Sequence, residues 1–414
     1  MKSHRRDFLR SSLSASTLVA MGSSTIPGFL GRTARAAASG GMAQEKVLVV
    51  VQLLGGNDGL NTVVPHGIDG YARGRRALRI AAGQVHKITP EIGLHPSMGE
   101  MSKLLEAGRL SVVQGVGYPN PDRSHFRSME IWESARLDTG VPETGWIGRA
   151  VDARPPAPGD DPSALHVGSG SSPIALRSKQ VSIPSLASLE EYRLKFPGEA
   201  RKAIEAVGQE TRSAPEADDP LLGFLRRSTL AAYESSRRIE EVAKPKPGGP
   251  TYPAYGLARR LELIAKVIKA GYGTRIYYTT LDGFDTHANQ LAAHSALLNE
   301  LSDSVAAFTR DLDAAGQGDR VAVLVFSEFG RRVAENASNG TDHGAAAPVF
   351  VLGPVAHPGL VGPHPSFDDL DDGDLKHGVD FRRVYASILE NWLGVPAVPI
   401  LGEGFEPLGL FRPA

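Results

Sequence analysis

The segment from residue 321 to 353 decides the fold of this chain, and it reads VAVLVFSEFGRRVAENASNGTDHGAAAPVFVLG. Its first six residues are apolar and every second one is a β-branched valine, a pattern typical of a strand that is buried on both faces. Glu328 follows this strand at the end where open α/β sheets bind ligands, and Asp342 and His343 precede a second apolar run. These three residues are therefore candidate site residues. The alternative is that Glu328 pairs with a neighbouring arginine and that Asp342 caps a turn.

Polar side chains also follow three other predicted strands, at residues 46–54, 110–116 and 275–280. The candidates at these strand ends are Asp58, then Ser124 with Arg127, and then Asp285 with His287. Because the carboxyl ends of parallel strands meet at one edge of a sheet, we expect these side chains to share a cleft. The chain has no cysteine, so a metal would be held by oxygen and imidazole ligands. Such ligands suit one or two ions of Zn²⁺, Mn²⁺, Mg²⁺ or Ca²⁺.

Several of these candidates also have a purely structural interpretation. Asp58 lies within Asn-Asp-Gly, which is favourable turn chemistry on its own. Ser124 would be either the N-cap of a helix or a nucleophile that faces an anion held by the helix N–H groups and by Arg127. His294 lies on the apolar stripe of the helix that follows residue 290, and this position favours a core histidine over a ligand.

The amino-terminal segment predicts export. Residues 3–10 read SHRRDFLR, a twin-arginine signature, and a small-x-small cleavage pattern ends at Ala36. We therefore interpret residues 1–36 as a signal peptide that engages the twin-arginine translocation machinery, which predicts a periplasmic or extracellular protein. The apolar part of this segment is short and interrupted by serines, so no stable membrane span is expected in the mature form, although an uncleaved anchor remains an alternative.

Composition limits the partners that the mature chain would bind. Cleavage after residue 36 removes six basic residues and one acidic residue, which takes the net charge of the 414-residue chain from −1 to −6. This mildly acidic balance gives no electrostatic basis for binding nucleic acid. The alternation of strands and helices predicts an α/β fold over residues 45–414, with a doubly wound, mainly parallel sheet. A charged helical stretch at roughly 185–250 is interpreted as a helical insertion or cap.

Several motifs together resemble a bacterial family of twin-arginine-exported proteins known only as a domain of unknown function. The motifs are LLGGNDGLNTVVP, SHFRSMEIWES, GFDTHANQ, FSEFGRR, NGTDHGAAAPVFVLG and VDFRRVYASILENWLG, and they span nearly the whole mature chain. That family is distantly similar to the alkaline phosphatase and sulfatase superfamily. The resemblance implies an alkaline-phosphatase-like fold and an exported, metal-dependent hydrolase of phosphate esters or, as a weaker match, sulfate esters. Its substrate would be a small-molecule or polymer ester.

The resemblance also implies a role for each candidate residue. Ser124 matches the nucleophile, Arg127 would hold an oxygen of the substrate, and the metal ligands would be Asp58, Asp285, His287, Glu328, Asp342 and His343. Phe329 stands where a further histidine ligand is expected, so the resemblance leaves open whether the site binds one metal ion or two. The alternative function is a noncatalytic exported binding protein that has the fold and a degenerate site.

Overall fold

The computed structural model describes residues 45–138, 140–155, 161–186 and 251–412. The predicted signal peptide lies outside these residues. Nearly all of the predicted helical insertion also lies outside them, and its first two residues, Ser185–Leu186, form a short strand. Among the described residues, no helix combines the length and the apolar character needed to cross a membrane.

The described strands and helices alternate along most of the chain. The strands are β1 Val47–Leu53, β2 Val63–Val64, β3 His86–Lys87, β4 Gly93–Leu94, β5 Leu110–Gly117, β6 Ala164–Val167, β7 Ser185–Leu186, β8 Ile276–Leu281, β9 Val321–Ser327, β10 Arg331–Glu335, β11 Thr341–His343, β12 Ala347–Leu352, β13 Gly359–Val361, β14 Leu370–Asp371, β15 Asp374–Leu375 and β16 Val379–Asp380. The α-helices are α1 Gly59–Thr62, α2 Asp69–Gly74, α3 Gly99–Glu106, α4 His125–Ser134, α5 Trp146–Ala153, α6 Gly256–Lys269, α7 Gln290–Ala314, α8 Phe381–Ala386 and α9 Val398–Leu401. Helix α8 continues into a π-helical segment, Ser387–Leu393, and short 3₁₀ turns lie at Ile174–Leu176 and Gly318–Arg320.

The central sheet is mainly parallel, which confirms the predicted α/β class. Its strand order is β13-β5-β12-β9-β1-β8-β6-β7, and β16 also pairs with β5. Every pair in this sheet is parallel except the two pairs that β12 makes, with β5 and with β9. The carboxyl ends of β1, β5, β8 and β9 therefore lie at one edge of the sheet, as the sequence predicts.

Strand β1 lies at the centre of the fold because it can bury both of its faces. Val47, Val49, Val51 and Leu53 pack into one hydrophobic layer, with side chains from α3, α6 and α7. Leu48 and Val50 pack into the opposite layer, with α4, α5, α8 and the π-helical segment. Helices thus cover both faces, which gives the doubly wound arrangement and explains why the strand is apolar at every position but Gln52.

The polar stretch between β9 and β12 differs from the prediction. The sequence predicts a turn and a loop there, but residues 331–335 and 341–343 form the antiparallel hairpin β10–β11. Arg331 lies opposite His343 in this hairpin. The pairing folds the chain back toward the end of β9, so that His343 lies beside the strand end rather than out on a loop.

His294 is buried on the apolar stripe of α7, as its spacing predicts. Its Nε2 atom lies 2.9 Å from Asn57 Oδ1, and its ring makes edge contacts with His95 and Phe284. Burial lowers the pKa of His294 to about 4. The ring is therefore neutral in the folded protein at neutral pH.

This burial predicts a loss of stability in mild acid. Because the folded pKa lies below the ordinary value of 6.5, the contribution of neutral His294 is fully present above pH 6.5 and is lost as the pH falls toward 4. We expect the free energy of unfolding to drop by on the order of 3 kcal/mol from this residue across that window. Urea denaturation at a series of pH values measures the drop. It should be clearly smaller in His294→Gln and unchanged in His357→Gln, a control at an exposed histidine; equal slopes in both variants would contradict this account.

Candidate metal centre

Three imidazoles and one carboxylate meet at the carboxyl edge of the sheet. Asp285 and His287 follow β8, His125 begins helix α4 after β5, and His343 ends β11. His125, Asp285 and His343 offer ligand atoms that all lie within 4.8 Å of one another. Residues from three separate parts of the chain therefore form one cluster, as parallel strand ends allow.

The distances within the cluster fit the ligand shell of a single ion. Asp285 Oδ1 lies 3.0 Å from His287 Nε2, 3.2 Å from His343 Nε2 and 3.4 Å from His125 Nε2. The Nε2 atoms of His287 and His343 are 2.9 Å apart. A tetrahedral zinc ion with bonds of about 2.1 Å holds its ligand atoms about 3.4 Å apart. The ligand atoms of the cluster thus lie slightly closer together than they would around a bound zinc ion, and small side-chain movements would make room for one.

The outward nitrogen of each imidazole faces a group that accepts a hydrogen bond or carries negative charge. His125 Nδ1 lies 2.8 Å from Glu328 Oε1, and His343 Nδ1 lies 2.8 Å from the carbonyl oxygen of Arg123. His287 Nδ1 lies 3.5 Å from the carboxylate of Asp342. A carbonyl or carboxylate oxygen accepts a hydrogen bond, so we assign the proton of each neutral ring to Nδ1.

This assignment leaves a lone pair on every Nε2 atom, and these atoms face the interior of the cluster. His125 Nε2 is buried and has no hydrogen-bond partner among the described residues. His287 Nε2 faces the Nη1 atom of Arg331 at 3.5 Å, and a guanidinium can only donate. Lone pairs of His287 and His343 that face each other repel unless a proton or a metal ion lies between them. Imidazole rings fixed by hydrogen bonds at the outer nitrogen are the arrangement that metal ligands adopt in proteins.

The electrostatics keep the carboxylate of the cluster ionised. Burial acts to raise the pKa of Asp285, but the hydrogen bond and the positive charge of Arg331 outweigh it and lower this pKa to about 2. The hydrogen bond to Glu328 raises the pKa of His125, and burial lowers the pKa of His343. The side chains of Asp285 and His287 are 48% and 44% exposed, so one side of the cluster is open to solvent.

Glu328 is buried beneath the cluster and contacts the Nδ1 atom of His125, so its carboxylate does not project among the candidate ligand atoms. Its side chain is fully buried, and Oε1 accepts hydrogen bonds from His125 and from the backbone N–H of Gly55 at 2.9 Å. Oε2 accepts a hydrogen bond from the Ser327 hydroxyl at 3.0 Å. The predicted metal ligand is therefore placed as the carboxylate that orients a histidine. Asp342 is placed in the same way beside His287, and a hydrogen bond from Asn336 lowers its pKa.

Asp58 is placed outside the cluster, contrary to the predicted arrangement. Both of its oxygens are fully buried against Arg75, at 2.6 Å and 3.0 Å from the guanidinium nitrogens. Gln290 also donates a hydrogen bond to Asp58. Burial acts to raise the pKa of Asp58, but the charge and hydrogen bonds of Arg75 outweigh it and lower the pKa. The carboxylate of Asp58 is thus part of a buried ion pair, and among the described residues it does not belong to the group of potential metal ligands.

Ser124 and Arg127 lie at the start of helix α4 and have different surroundings. Ser124 is the N-cap residue, is exposed, and makes no side-chain cap hydrogen bond. It immediately precedes His125, so its backbone lies next to a residue of the cluster. Arg127 instead donates hydrogen bonds to the carbonyl oxygens of Leu137 and Asp138 and pairs with Glu130 at 3.2 Å. The guanidinium of Arg127 thus binds the loop that follows α4, whereas the sequence predicts that it contacts the substrate.

Two residues of the site have roles that the sequence does not predict. His125 is not among the predicted candidates, although it lies next to Ser124 at a helix start that follows a strand, which is the available signal. Phe329 is placed by the resemblance in a ligand position, but its buried ring packs against His125 and His343 with centroids 4.9 Å from each. Gly56 permits this packing, because a Cβ there would lie 2.2 Å from the ring. Phe329 therefore places an apolar ring at the position where the resemblance expects a further ligand.

A substitution separates the structural role of Asp58 from the predicted ligand role. Asp58→Ala leaves a buried, unpaired Arg75, so we expect the free energy of unfolding to fall by about 3 to 5 kcal/mol. The double variant Asp58→Leu/Arg75→Met should recover much of this loss. Chemical denaturation gives both values, and zinc titration of folded Asp58→Ala should show unchanged affinity. A large loss of zinc affinity in that variant would restore Asp58 as a ligand.

Comparison with solved structures finds distant similarity over most of the chain. The lipoteichoic acid synthase LtaP from Listeria monocytogenes is similar at 11% identity and a TM-score of 0.40, with 89% of this chain and 77% of that chain covered. The C-terminal periplasmic domain of EcEptC from Escherichia coli, in complex with Zn, has 11% identity and a TM-score of 0.35, with 76% and 74% covered. The PsFucS1 sulfatase from Pseudoalteromonas sp. has 11% identity and a TM-score of 0.35, with 81% and 69% covered. Similarity at this level gives no information on activity.

The family of the chain is established by its sequence. No curated protein matches the chain. Residues 45–394 match the model of a family described as "Protein of unknown function (DUF1501)". This match covers most of the chain and confirms the resemblance to a domain of unknown function, so the chain belongs to the DUF1501 family.

Proposed function

We propose that this protein is an exported, metal-dependent hydrolase of phosphate esters that binds one zinc ion at His125, Asp285 and His343. The observation that carries the proposal is the set of three Nε2 atoms, from His125, His287 and His343, that lie within 3.4 Å of Asp285 Oδ1. Imidazole nitrogen together with carboxylate oxygen suits Zn²⁺ better than Mg²⁺ or Ca²⁺, which prefer oxygen ligands alone. Three protein ligands leave a position for substrate, and His287 lines the exposed side of that position.

Different residues would have different roles in ester hydrolysis. A bound divalent ion supplies positive charge to the phosphoryl oxygens and lowers the pKa of a bound hydroxyl group or water. Ser124 Oγ would lose its proton to solvent and form a bond to phosphorus, while the ester oxygen would leave with its electron pair and take up a proton from solvent. Water would then hydrolyse the phosphoserine and release phosphate. Glu328 and Asp342 would hold the rings of His125 and His287 in the orientation that directs Nε2 into the site.

The export part of the proposal rests on the sequence. The twin-arginine signature at residues 3–10 and the cleavage pattern at Ala36 support a periplasmic or extracellular location. Sulfate esters are the weaker substrate prediction. Sulfatases have the motif Cys/Ser-x-Pro-x-Arg, whereas the segment Ser124-His125-Phe126-Arg127 has no proline and has its arginine one position early.

A second candidate function is metal binding without catalysis. Phe329 favours it, because an apolar ring packs against His125 and His343 at the sequence position where the resemblance expects a further histidine ligand. In this case the centre would hold a single ion and Ser124 would serve only as the N-cap of α4. The two candidates differ in whether an ester substrate turns over, and they agree on the metal.

The metal-binding prediction is tested by titration of the purified mature protein. We expect one equivalent of Zn²⁺ per chain in calorimetry and in elemental analysis. Glu328→Gln should weaken zinc affinity by about 10-fold to 100-fold, since it removes the negative charge that strengthens the hydrogen bond orienting His125, and His125→Ala should weaken it more. His357→Ala, at an exposed histidine, is the matched control and should bind like the unaltered protein. A folded protein that takes up no zinc would refute both candidate functions.

The nucleophile prediction is tested by turnover of an aryl phosphate ester by the zinc-loaded protein. Ser124→Ala should reduce kcat to the background rate and leave zinc content unchanged, because the hydroxyl acts on phosphorus and is outside the metal ligand set. Ser338→Ala, at an exposed serine in the β10–β11 hairpin, is the control and should keep full activity. Unchanged turnover in Ser124→Ala would remove Ser124 from the mechanism. No turnover by the unaltered, zinc-loaded protein of phosphate or sulfate esters would favour the noncatalytic candidate.

A further inference from the structure

Arg331 is fully buried at the base of the candidate metal centre, between three segments of backbone. Its side chain is 0% exposed. The acceptors around its guanidinium are the carbonyl oxygens of Gly55, Gly56, Phe284 and Thr341 and the carboxylate of Asp285. Five oxygen atoms thus converge on one side chain.

The contacts use the full fork of the guanidinium. Nε donates to Gly56 at 2.7 Å, and Nη1 donates to Thr341 at 2.7 Å. Nη2 donates to Gly55, to Phe284 at 3.1 Å and to Asp285 Oδ1 at 2.7 Å. The planar fork of arginine has donors in all these directions, whereas the ammonium group of lysine has three donors on one atom.

The segments that Arg331 connects are those that carry the cluster. Gly55 and Gly56 follow β1, Phe284 and Asp285 follow β8, and Thr341 lies two residues before His343 in β11. Two of the three proposed ligands, Asp285 and His343, therefore lie on backbone that this guanidinium contacts. Without it, the carbonyl oxygens at three strand ends would face one another in a buried space, which disfavours their close approach.

We infer that Arg331 is the positioning residue of the metal centre: its guanidinium gathers the ends of β1, β8 and β11 and fixes Asp285 and His343 at ligand spacing. This inference rests on the proposed metal site. Arg331 touches Asp285 and approaches His287, but it has no free acceptor and does not itself bind a cation. Its effect is on the affinity of the site through the geometry of the ligands.

The neighbouring Arg332 provides a matched control in the same strand. Its side chain is 33% exposed and pairs with Asp372 at 3.1 Å and with Asp374 at 3.8 Å. It shares the charge and the hairpin of Arg331, but its guanidinium lies on the β14–β15 side. Removal of this partly exposed pair should change little at the metal centre.

The experiment is chemical rescue of zinc affinity in Arg331→Ala. Zinc dissociation constants are measured by competition with a chelator, and circular dichroism establishes that each variant is folded. We expect Arg331→Ala to weaken zinc binding by about 10-fold to 100-fold, and Arg332→Ala to bind like the unaltered protein. Millimolar guanidinium should restore most of the lost affinity, because it supplies the planar donors that the five oxygens need. Urea at the same concentration should not restore it.

The outcomes separate this inference from the proposed function. A folded Arg331→Ala with full zinc affinity overturns the inference, and so does equal rescue by urea and guanidinium. If Arg331→Ala folds only when guanidinium is present, the inference is supported. If it folds in neither condition, Arg331→Lys decides: a weakening of about 10-fold supports the inference, and unchanged affinity contradicts it. Absence of zinc binding in the unaltered protein defeats the proposed function itself.

Discussion

The candidate site depends on one constraint, the direction in which three imidazole rings are held. His125, His287 and His343 each face an acceptor or a negative group with Nδ1: the carboxylate of Glu328, the carboxylate of Asp342 and the carbonyl oxygen of Arg123. The Nε2 lone pairs are thereby turned toward Asp285 Oδ1 and toward one another. This arrangement is electrostatically unfavourable when empty and favourable around a cation. The surrounding hydrogen bonds thus hold the rings in the orientation that the proposed metal site requires.

The sheet explains why these groups meet. Strands β1, β8 and β9 are parallel neighbours, and their shared register brings the turns after Leu53, Leu281 and Ser327 to the same level. Helix α4, which follows β5, brings His125 over the end of β9, and the β10–β11 hairpin returns His343 to the same place. The guanidinium of Arg331 lies beneath the cluster and donates hydrogen bonds to backbone carbonyl oxygens near these strands and to the carboxylate of Asp285. Fixed backbone thus surrounds the cluster on its buried side, and solvent reaches it from the other side.

Sequence reasoning found the fold and the edge of the sheet that carries the site, because both follow from local patterns. An apolar run followed by Gly-Asn-Asp or Phe-Asp-Thr-His identifies a strand end without any knowledge of the partners. The sequence does not predict which of the acidic residues at this edge of the sheet binds a metal ion and which forms an ion pair or orients a histidine. Asp58 and Glu328 look alike as acids after strands, and only the three-dimensional contacts give the first to Arg75 and the second to His125. His125 was missed because a histidine at a helix start carries no pattern that separates a ligand from a surface residue.

The central claim is that one ion binds between the Nε2 atoms and Asp285 Oδ1, and anomalous diffraction tests it most directly. Crystals grown with zinc would be measured on both sides of the zinc absorption edge. The account predicts a single anomalous peak about 2.0 to 2.2 Å from Nε2 of His125, from Nε2 of His343 and from Oδ1 of Asp285. Crystals with no peak at the ordered imidazoles, or with the peak beside Asp58, would contradict it.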